Sequence, residues 1–280
     1  MKRRTFSFFV LCSLLLIAAA VEAQRGFRGG RGRFGSESGA PPRFAEPADF
    51  DGTFHICRLM YTQVRQQNLG MGWGTDYPYA EINLSTRLRE MTKTTVGYDG
   101  EAPAHLVVRP TDDALFQCPL VIASDPGSAG FTSEDAENLR KYLLKGGFLW
   151  VDDFWGPWAW DDFQREIQKV LPPGQYPTKD IPAGHPILRV LFPLDKIPQV
   201  PSINYWRGSG GDTSEMGEYS ANAHMAAISD AQGRVMVLMT HNTDIADSWE
   251  REGDDPQFFF HFSPNGYAVG LNAVLYSMSH

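Results

Sequence analysis

Residues 119–153, PLVIASDPGSAGFTSEDAENLRKYLLKGGFLWVDD, decide the fold class of this chain. They contain an apolar run, a glycine-containing turn, a helical segment and a second apolar run. In the helical segment, Thr132 and Asp135 have the spacing of a capping box, and Gly146 stands where helices commonly end. Continuous apolar runs are typical of central parallel strands, which are covered on both faces. Two such strands joined by a helix predict a right-handed crossover in a parallel sheet.

Apolar patterns on either side of this unit predict the remaining elements. A predicted helix at 81–92 directs Ile82, Leu88 and Met91 toward the core. Together the elements predict an α/β fold with three layers and a mostly parallel sheet, flavodoxin-like or class I glutamine-amidotransferase-like, with an added β-hairpin. The other predicted elements are strands at 54–61 and 105–110, a helix that includes Trp160, Phe163, Ile167 and Val170, a hairpin at 225–242 and a closing helix at 266–280.

Residues 1–23 have the pattern of a secretory signal peptide. A basic start precedes an apolar run from Phe6 to Ala20, and the small residues before position 24 predict cleavage after Ala23. The alternative is an uncleaved membrane anchor, but the apolar run is shorter than the roughly 20 residues that a spanning helix needs. We therefore expect a periplasmic or secreted protein with no stable membrane anchor after cleavage.

Residues 24–46 form a linker rich in glycine and arginine, which we expect to be disordered because it has too little apolar surface to fold alone. It is either a flexible leader or a basic tether to an anionic surface. Residues 47–280, predicted as a single α/β domain, are acidic instead, with 17 Lys and Arg against 30 Asp and Glu and a net charge of −13. This charge argues against a nucleic-acid partner, because phosphate binding needs the opposite sign.

The cysteines leave two interpretations open. Cys57 and Cys118 are the two that follow the predicted signal peptide. In an oxidising compartment they could form a disulfide. Each lies in or beside an apolar segment, however, so two buried free thiols are at least as good an interpretation.

Two acidic residues and two tryptophans follow the second strand of the crossover unit. Asp152 and Asp153 come directly after the apolar run FLWV, at the carboxyl end of a predicted strand, where sites in open α/β sheets gather. Alternation directs one of them to the crevice and the other away. They are candidates for ligand binding, and Asp152 also for acid–base chemistry; the alternative is a role in capping the next segment. Trp155 and Trp158, in a predicted loop, either stack on a ligand such as a sugar or pack within the loop.

Two neighbouring turns have simpler structural interpretations. Asp161 and Asp162 are predicted to begin the next helix and to interact favourably with its dipole. The segment from Asp125 to Phe131, DPGSAGF, could bind an anion at a helix N-terminus. A plain tight turn is the better interpretation of that segment.

The segment GMGWGTDYPYAEINL, residues 70–84, is a second candidate region. It follows the first predicted strand and therefore lies at the same sheet edge as Asp152. Long loops of this composition are often functional. Trp73, Asp76 and Tyr77 are predicted ligand-binding residues, and Glu81 is a further acid–base candidate; the alternative is that Asp76 caps a turn.

Several kinds of site have no motif in this sequence. There is no H-x-x-x-H or H-E-x-x-H pattern, so we predict no metal site. There is no G-x-S-x-G nucleophile elbow. Neither a P-loop nor a dinucleotide-binding fingerprint occurs, so we predict no nucleotide and no other cofactor.

Five segments occur here in one order and together resemble a known family. The sequence is similar to the bacterial domain of unknown function 4159, from about Phe54 to His280, and that family is similar to the class I glutamine-amidotransferase-like superfamily. The resemblance implies a three-layer α/β fold and no known reaction. The superfamily's enzymes use a cysteine at a strand-to-helix elbow, which this sequence lacks, whereas sugar-related members without it suggest a carbohydrate ligand by analogy. The segments are WGTDYPYAEINLSTRL (73–88), LRKYLLKGGFLWVDD (139–153), HPILRVLFPL (185–194), NTDIADSWE (242–250) and YAVGLNAVLYSMSH (267–280).

Three hypotheses about function follow. The first is an exported, non-catalytic module that binds an unknown small molecule or glycan, or acts in envelope assembly. The second is a hydrolase of a carbohydrate or cell-envelope polymer, with Asp76, Asp152 and Glu81 as the acid and base. The third, a metal-dependent enzyme, has the least support in the sequence, and the sequence predicts no oligomeric state.

Overall fold

A seven-stranded, mostly parallel sheet forms the centre of the protein, which confirms the predicted α/β class. The computed structural model describes residues 39–67 and 69–280; the predicted signal peptide and most of the predicted linker lie outside the described residues. The strands are β1 (Ile56–Leu59), β2 (His105–Val108), β3 (Leu120–Ser124), β4 (Leu149–Asp152), β5 (Thr178–Asp180), β6 (His224–Ser229) and β7 (Val235–His241). Their spatial order is β2-β1-β3-β4-β7-β6-β5.

The direction of the strands follows this order. The pairs β1–β2, β1–β3, β3–β4 and β4–β7 are parallel, whereas β6 runs antiparallel to both β7 and β5. Because β6 and β7 pair antiparallel on either side of a short turn, the predicted hairpin is confirmed. The carboxyl ends of β1, β3, β4 and β7 therefore meet at one edge of the sheet.

Helices cover the sheet on both faces. Alternation along β4 shows the two cores: Val151 packs with the side chains of α2 and α3, whereas Trp150 packs with those of α1, α5 and α6. The sheet is thus the middle of three layers. The helices are α1 (Tyr79–Met91), α2 (Ser133–Leu144), α3 (Gly156–Val170), α4 (Ile203–Ser209), α5 (Asp247–Glu250) and α6 (Pro256–Ser279).

The crossover helix α2 begins as its sequence predicts. The Thr132 side chain accepts a hydrogen bond from the Asp135 amide, and the Asp135 carboxylate accepts one from the Thr132 amide. These reciprocal bonds satisfy two backbone groups that the first helical turn leaves free. At the other end Gly146 takes a positive φ of 110°, a conformation open to glycine without steric cost.

Helix α3 begins four residues before Trp160, and this changes the interpretation of its first residues. Trp158 lies in the first turn rather than in a loop, and Trp155 is the residue before the helix. Pro157 suits this start because prolines are well tolerated in a first helical turn. The prediction that Asp161 and Asp162 begin the helix is therefore wrong. Both lie in its second turn, away from the unpaired amides of the N-terminus.

One predicted core position is exposed. In α1 the buried stripe is Ala80, Leu84 and Leu88, spaced by four residues, and Met91 falls off this stripe with 49% of its surface exposed. Helix α6 begins ten residues before its predicted start, and Pro264 lies inside the helix.

Cys57 and Cys118 form a disulfide in this structure. Cys57 lies in β1, and Cys118 lies just before the neighbouring strand β3, so their Cα atoms are 6.0 Å apart. A disulfide can span that separation without backbone movement. The interpretation as two free thiols does not hold.

Residues 43–45, which precede the predicted domain, lie against the edge strand β2. Amide and carbonyl groups of Arg43 and Ala45 bond to Val107, and the Arg43 guanidinium pairs with Asp49 and Asp99. These residues belong to the predicted linker but extend the sheet edge. Among the described residues, no helix has both the length and the apolar character to cross a membrane.

Candidate functional site

Acidic side chains gather at the edge where the parallel strands end. They come from four separate stretches of chain: the loop after β1, the turns after β3 and β4, and the segment after β7 with helix α5. All of them are buried. Six of these residues, hereafter the acidic cluster, are Asp76, Asp125, Asp153, Asp244, Asp247 and Glu250.

Sharp left-handed turns bring three members of the cluster into place. Asp76, Asp125 and Asp153 have φ values of 65°, 47° and 55°, and Asn242 after β7 has 57°. This region is unfavourable for most residues, and aspartate and asparagine tolerate it better than others. The strands therefore end in abrupt changes of direction that turn their polar residues toward the crevice.

Two sets of three carboxylates lie close enough to share an ion. One oxygen each from Asp76, Asp153 and Asp244 lie within 4.8 Å of one another. The same holds for Asp76, Asp247 and Glu250. We call these the first and second triads, and Asp76 belongs to both. Carboxylate oxygens are the ligands that hard divalent cations such as Ca²⁺ and Mg²⁺ prefer.

Asp76 is held by a buried chain of polar groups. The Ser124 hydroxyl donates to Oδ2 of Asp76 at 2.8 Å and accepts from Nη1 of Arg58 at 2.6 Å. Nε of Arg58 donates to Oε1 of Glu81 at 2.6 Å. Nη2 of Arg58 and Oε2 of Glu81 are buried as well and have no hydrogen-bond partner among the described residues. Such atoms mark places where water or a ligand group completes a network.

The residues after β7 are fixed by backbone hydrogen bonds. The Asp247 amide donates to Oδ1 of Asp244 at 2.9 Å, and the Ile203 amide donates to Oδ2 of Asp247 at 3.2 Å. Asn83 of α1 donates to the carbonyls of Trp249 and Glu250. Helix α5 is thereby anchored to both α4 and α1, which keeps both triads in position.

Charge in this region is poorly balanced by the chain itself. Arg58 is the single arginine or lysine that is buried among the described residues, and its nearest ion-pair partner is Glu81, while the half-buried Arg251 pairs with Glu250 at 3.4 Å. Burial, together with the negative charge of Asp76, raises the pKa of Asp153, Asp244 and Asp247 well above the usual range. A positive counter-charge beside these three carboxylates would favour their ionised form.

The pKa of Asp125 is also raised, and here burial is opposed by hydrogen bonds. Burial raises its pKa to about 7, against a lowering by the hydrogen bond from the Gly72 amide, which is 2.9 Å from Oδ2. The loop before Gly72 passes directly over this carboxylate. A Cβ on Gly70 would lie 2.1 Å from Cγ of Asp125, so only glycine fits there. The 70–84 loop and the turn after β3 therefore pack closely against each other.

A pocket of about 140 Å³ opens over Asp125 and Asp153. Trp155 forms part of its wall and donates its indole N–H to Oδ1 of Asp153 at 3.0 Å. Trp158 lines the pocket mouth with 56% of its surface exposed, and its ring centre is 5.0 Å from that of Tyr219, which is 62% exposed. The pocket therefore combines carboxylates at its base with exposed aromatic rings at its entrance.

The family comparison covers this whole region. The family model described as domain of unknown function (DUF4159) matches residues 55–278, a range that includes both triads and the pocket. The chain belongs to the DUF4159 family. No curated protein matches the sequence.

Several predicted ligand-binding residues of the DUF4159 domain meet at the pocket. Asp153, Trp155 and Trp158 line it, and Asp76 lies behind it in the triads. Trp73 and Tyr77 are buried against each other, with ring centres 5.8 Å apart. The Tyr77 hydroxyl donates to the His105 carbonyl, so this ring supports the loop from behind.

The remaining acid–base candidates have structural partners. Asp152 accepts hydrogen bonds from the Thr240 hydroxyl on Oδ1 and from the Ala246 amide on Oδ2, at 2.5 and 3.0 Å. It therefore ties β4 to the chain after β7. Burial raises the pKa of Asp152 to about 7, although these hydrogen bonds act to lower it. Glu81 is paired with Arg58 and fully buried.

Sequence reasoning missed four members of the acidic cluster as functional residues. Asp244, Asp247 and Glu250 lie in the segment NTDIADSWE, where acids recur every three residues directly after a long apolar strand. Acidic residues at this spacing, at the carboxyl end of a strand, could have identified the segment as a candidate site. Asp125 was assigned to a plain turn, and its signal was the turn's position directly after β3.

Proposed function

We propose that this DUF4159 domain is an exported, non-catalytic binding module whose ligand pocket is organised by a divalent cation in the acidic cluster. The first triad would hold the cation, with Asp153 linking it to the pocket. The disulfide between Cys57 and Cys118 supports the exported location, because such bonds persist in oxidising compartments.

One observation carries the proposal: Asp76, Asp153 and Asp244 are buried together, and one carboxylate oxygen of each lies within 4.8 Å of the others. Buried charges are stable only when paired or bound to a metal. Apart from Arg58, which pairs with Glu81, the chain provides no buried arginine or lysine in its described part. An external cation supplies the missing charge, and a site made only of oxygen ligands favours Ca²⁺, Mg²⁺ or Mn²⁺ over zinc. This departs from the expectation of no metal, which rested on the absence of histidine motifs.

Calorimetric titration of the chelator-treated protein with Ca²⁺, Mg²⁺ and Mn²⁺ tests the proposal. We expect saturable binding of at least one of these ions, and its loss in Asp76→Asn because Asp76 belongs to both triads. Asp161→Asn is the matched control, since Asp161 is an exposed aspartate outside the cluster. The absence of binding by all three ions, or equal binding by Asp76→Asn, contradicts the proposal.

A hydrolase is the second candidate, and one observation favours it. Asp125 and Asp153 line the same pocket, and burial raises the pKa of both, that of Asp125 to about 7, which favours the protonated form of each carboxyl. These two carboxylates suit acid–base chemistry better than Asp152 and Glu81, because they line a pocket that a substrate can enter. Release of reducing ends from cell-envelope polysaccharide, lost in Asp153→Asn and kept in Asp161→Asn, would select the hydrolase.

The likeness to class I glutamine amidotransferases and flavodoxins stays a prediction about the fold. The elbow positions after β3 and β4 hold Asp125 and Asp153 rather than a cysteine. Cys57 and Cys118 are bonded to each other, and neither offers a free thiol. Both facts support a domain without glutaminase chemistry.

A further inference from the structure

We infer that the pocket over Asp125 and Asp153 takes a neutral, polyhydroxylated ligand, such as one sugar unit of a glycan; this rests on the proposed cation site. Hydroxyl groups would meet the cation and the carboxylates at the base of the pocket. An apolar face of the sugar would lie on Trp158.

Asp153 connects the two parts of the site. One of its oxygens belongs to the first triad, and the residue also lines the pocket. Three monodentate carboxylates provide three of the six to eight oxygens that Ca²⁺ takes, so further oxygen ligands must come from elsewhere. The pocket is the place from which a ligand's hydroxyl oxygens reach Asp153.

The pocket walls narrow the class of ligand. The lining includes the polar side chains of Asp125 and Asp153, which exclude a purely apolar ligand. A purely apolar ligand would leave these carboxylates desolvated without new partners, at an energetic cost. Hydroxyl groups instead donate to carboxylates, and the side-chain amide of Gln67, also in the lining, offers both a donor and an acceptor.

The entrance fits a flat, partly apolar surface. Trp158 and Tyr219 expose 56% and 62% of their surfaces and contact each other, and an exposed aromatic patch of this kind can mark a binding surface. Amphipathic rings of this kind bind the C–H faces of sugars while leaving hydroxyl groups free. The volume of about 140 Å³ is below the roughly 300–1,000 Å³ of sites that enclose drug-sized ligands. The pocket therefore has room for no more than about one sugar unit, and the remainder of a glycan would cross the aromatic entrance.

A cationic ligand is the main competitor, because acids and aromatic rings also bind amines. A divalent cation in the first triad reduces the attraction for a second positive charge at Asp153. The two ligand classes therefore respond in opposite ways to chelation. Chelation weakens the binding of a sugar and strengthens the binding of an amine.

The test is calorimetry with neutral oligosaccharides of glucose, mannose, galactose and N-acetylglucosamine, and with spermidine, each with Ca²⁺ in excess and after chelation. We expect at least one oligosaccharide to bind with Ca²⁺ and to bind at least tenfold more weakly after chelation. Trp158→Ala should lower its affinity at least tenfold while Ca²⁺ affinity is unchanged, which also shows that the variant is folded. Phe260→Ala, which removes an aromatic ring that is 76% exposed and outside the pocket, is the matched control and should bind normally.

The outcomes separate this inference from the proposed function. Ca²⁺ binding without binding of any oligosaccharide overturns the inference and leaves the proposed function standing. Oligosaccharide binding that survives chelation, or that Trp158→Ala does not change, also overturns it. Spermidine binding that is stronger after chelation, with no oligosaccharide bound, assigns the pocket to cationic ligands. If the protein binds none of Ca²⁺, Mg²⁺ and Mn²⁺, both the inference and the proposed function are overturned.

Discussion

Two regions of this protein bury acidic side chains in opposite ways. On α3, Glu166 is buried but surrounded by donors: Arg65, Lys169 and the Phe131 amide all contact its carboxylate. Burial alone would raise the pKa of Glu166, but these donors bring it below the usual value. At the sheet edge, Asp153, Asp244 and Asp247 are equally buried, but their donors are neutral, the charges around them include other carboxylates, and their pKa values are raised.

The difference between the two regions lies in the source of the counter-charge for each carboxylate. Glu166 has its counter-charge in the chain, so its role is complete within the folded protein. Among the described residues, the buried arginine beside the acidic cluster is Arg58, which pairs with Glu81, and the half-buried Arg251 pairs with Glu250. For Asp153, Asp244 and Asp247 the counter-charge comes from solution instead, as protons or as a bound cation. The following predictions test this contrast, from the largest expected effect to the smallest.

Removal of Arg58 should have the largest effect on stability. Arg58→Met leaves Glu81 buried without its partner, and breaking a buried ion pair in this way costs about 3–5 kcal/mol. Urea denaturation should report this loss. The double variant Arg58→Met with Glu81→Leu removes both charges and should recover most of the stability. If the single variant is as stable as the wild type, the pair does not hold the network beneath Asp76.

A divalent cation should stabilise the wild-type protein by about 2.7 kcal/mol at a hundred times its Kd. For a domain of this size the melting temperature then rises by about 5–10 °C. Thermal unfolding with and without Ca²⁺ measures this shift, which should be absent in Asp244→Asn and present in Glu166→Gln. A shift of equal size in Asp244→Asn would place the cation elsewhere.

The chelated protein should lose stability as pH rises from about 4 to about 7. Over this range the folded Asp125 and Asp152, with pKa values of about 7, keep protons that the unfolded chain releases near 3.8. Because the folded state binds more protons, raising the pH favours unfolding. The midpoints of urea unfolding across this pH range, measured with Ca²⁺ and with chelator, show whether stability falls or rises with pH. Added Ca²⁺ should stabilise the protein more at pH 7 than at pH 5. Stability that rises with pH in chelator would contradict the raised pKa values.

Glu166→Gln and Asp244→Asn should act in opposite directions on the chelated protein at neutral pH. The first weakens hydrogen bonds to charged donors and should cost about 1–3 kcal/mol. The second replaces a buried carboxyl whose pKa is raised by burial and by neighbouring acids, so a neutral side chain there should leave stability equal or higher. Denaturation of the two variants beside the wild type compares them directly. Equal losses in both would remove the distinction between the two regions.

Trp158→Ala should have the smallest effect on stability, within about 0.5 kcal/mol, because this side chain is 56% exposed. Trp155→Ala is the contrasting variant, since Trp155 is buried and bonds to Asp153. We expect a loss of about 3–5 kcal/mol there. A large loss in Trp158→Ala would indicate that the ring supports the fold rather than a ligand.

The fold could be predicted from the sequence to the extent that its signals are local. The cap formed by Thr132 and Asp135, the apolar strands β3 and β4 and the hairpin at β6 and β7 each depend on residues close in sequence. The pattern Gly156-Pro157 was misleading because it suits both a loop and a helix start, so Trp158 was placed in a loop.

The acidic cluster could not be predicted in the same way. Asp76, Asp153 and Asp244 are far apart in the chain, and they meet because β1, β4 and β7 lie close together in the sheet order β1-β3-β4-β7 and end at the same edge. Local patterns do not fix that strand order. Asp152 and Asp153 show the limit clearly: adjacent residues at one strand end differ in role, since Asp152 bonds within the protein and Asp153 lines the pocket.

The most direct test of the central claim is a crystal structure grown with Mn²⁺, with anomalous diffraction recorded near the manganese edge. The account predicts an anomalous peak within bonding distance of Asp76, Asp153 and Asp244, and a second peak beside Asp247 and Glu250 if both triads fill. The absence of an anomalous peak at the first triad, with its carboxylates hydrogen-bonded to one another or to water, would contradict it.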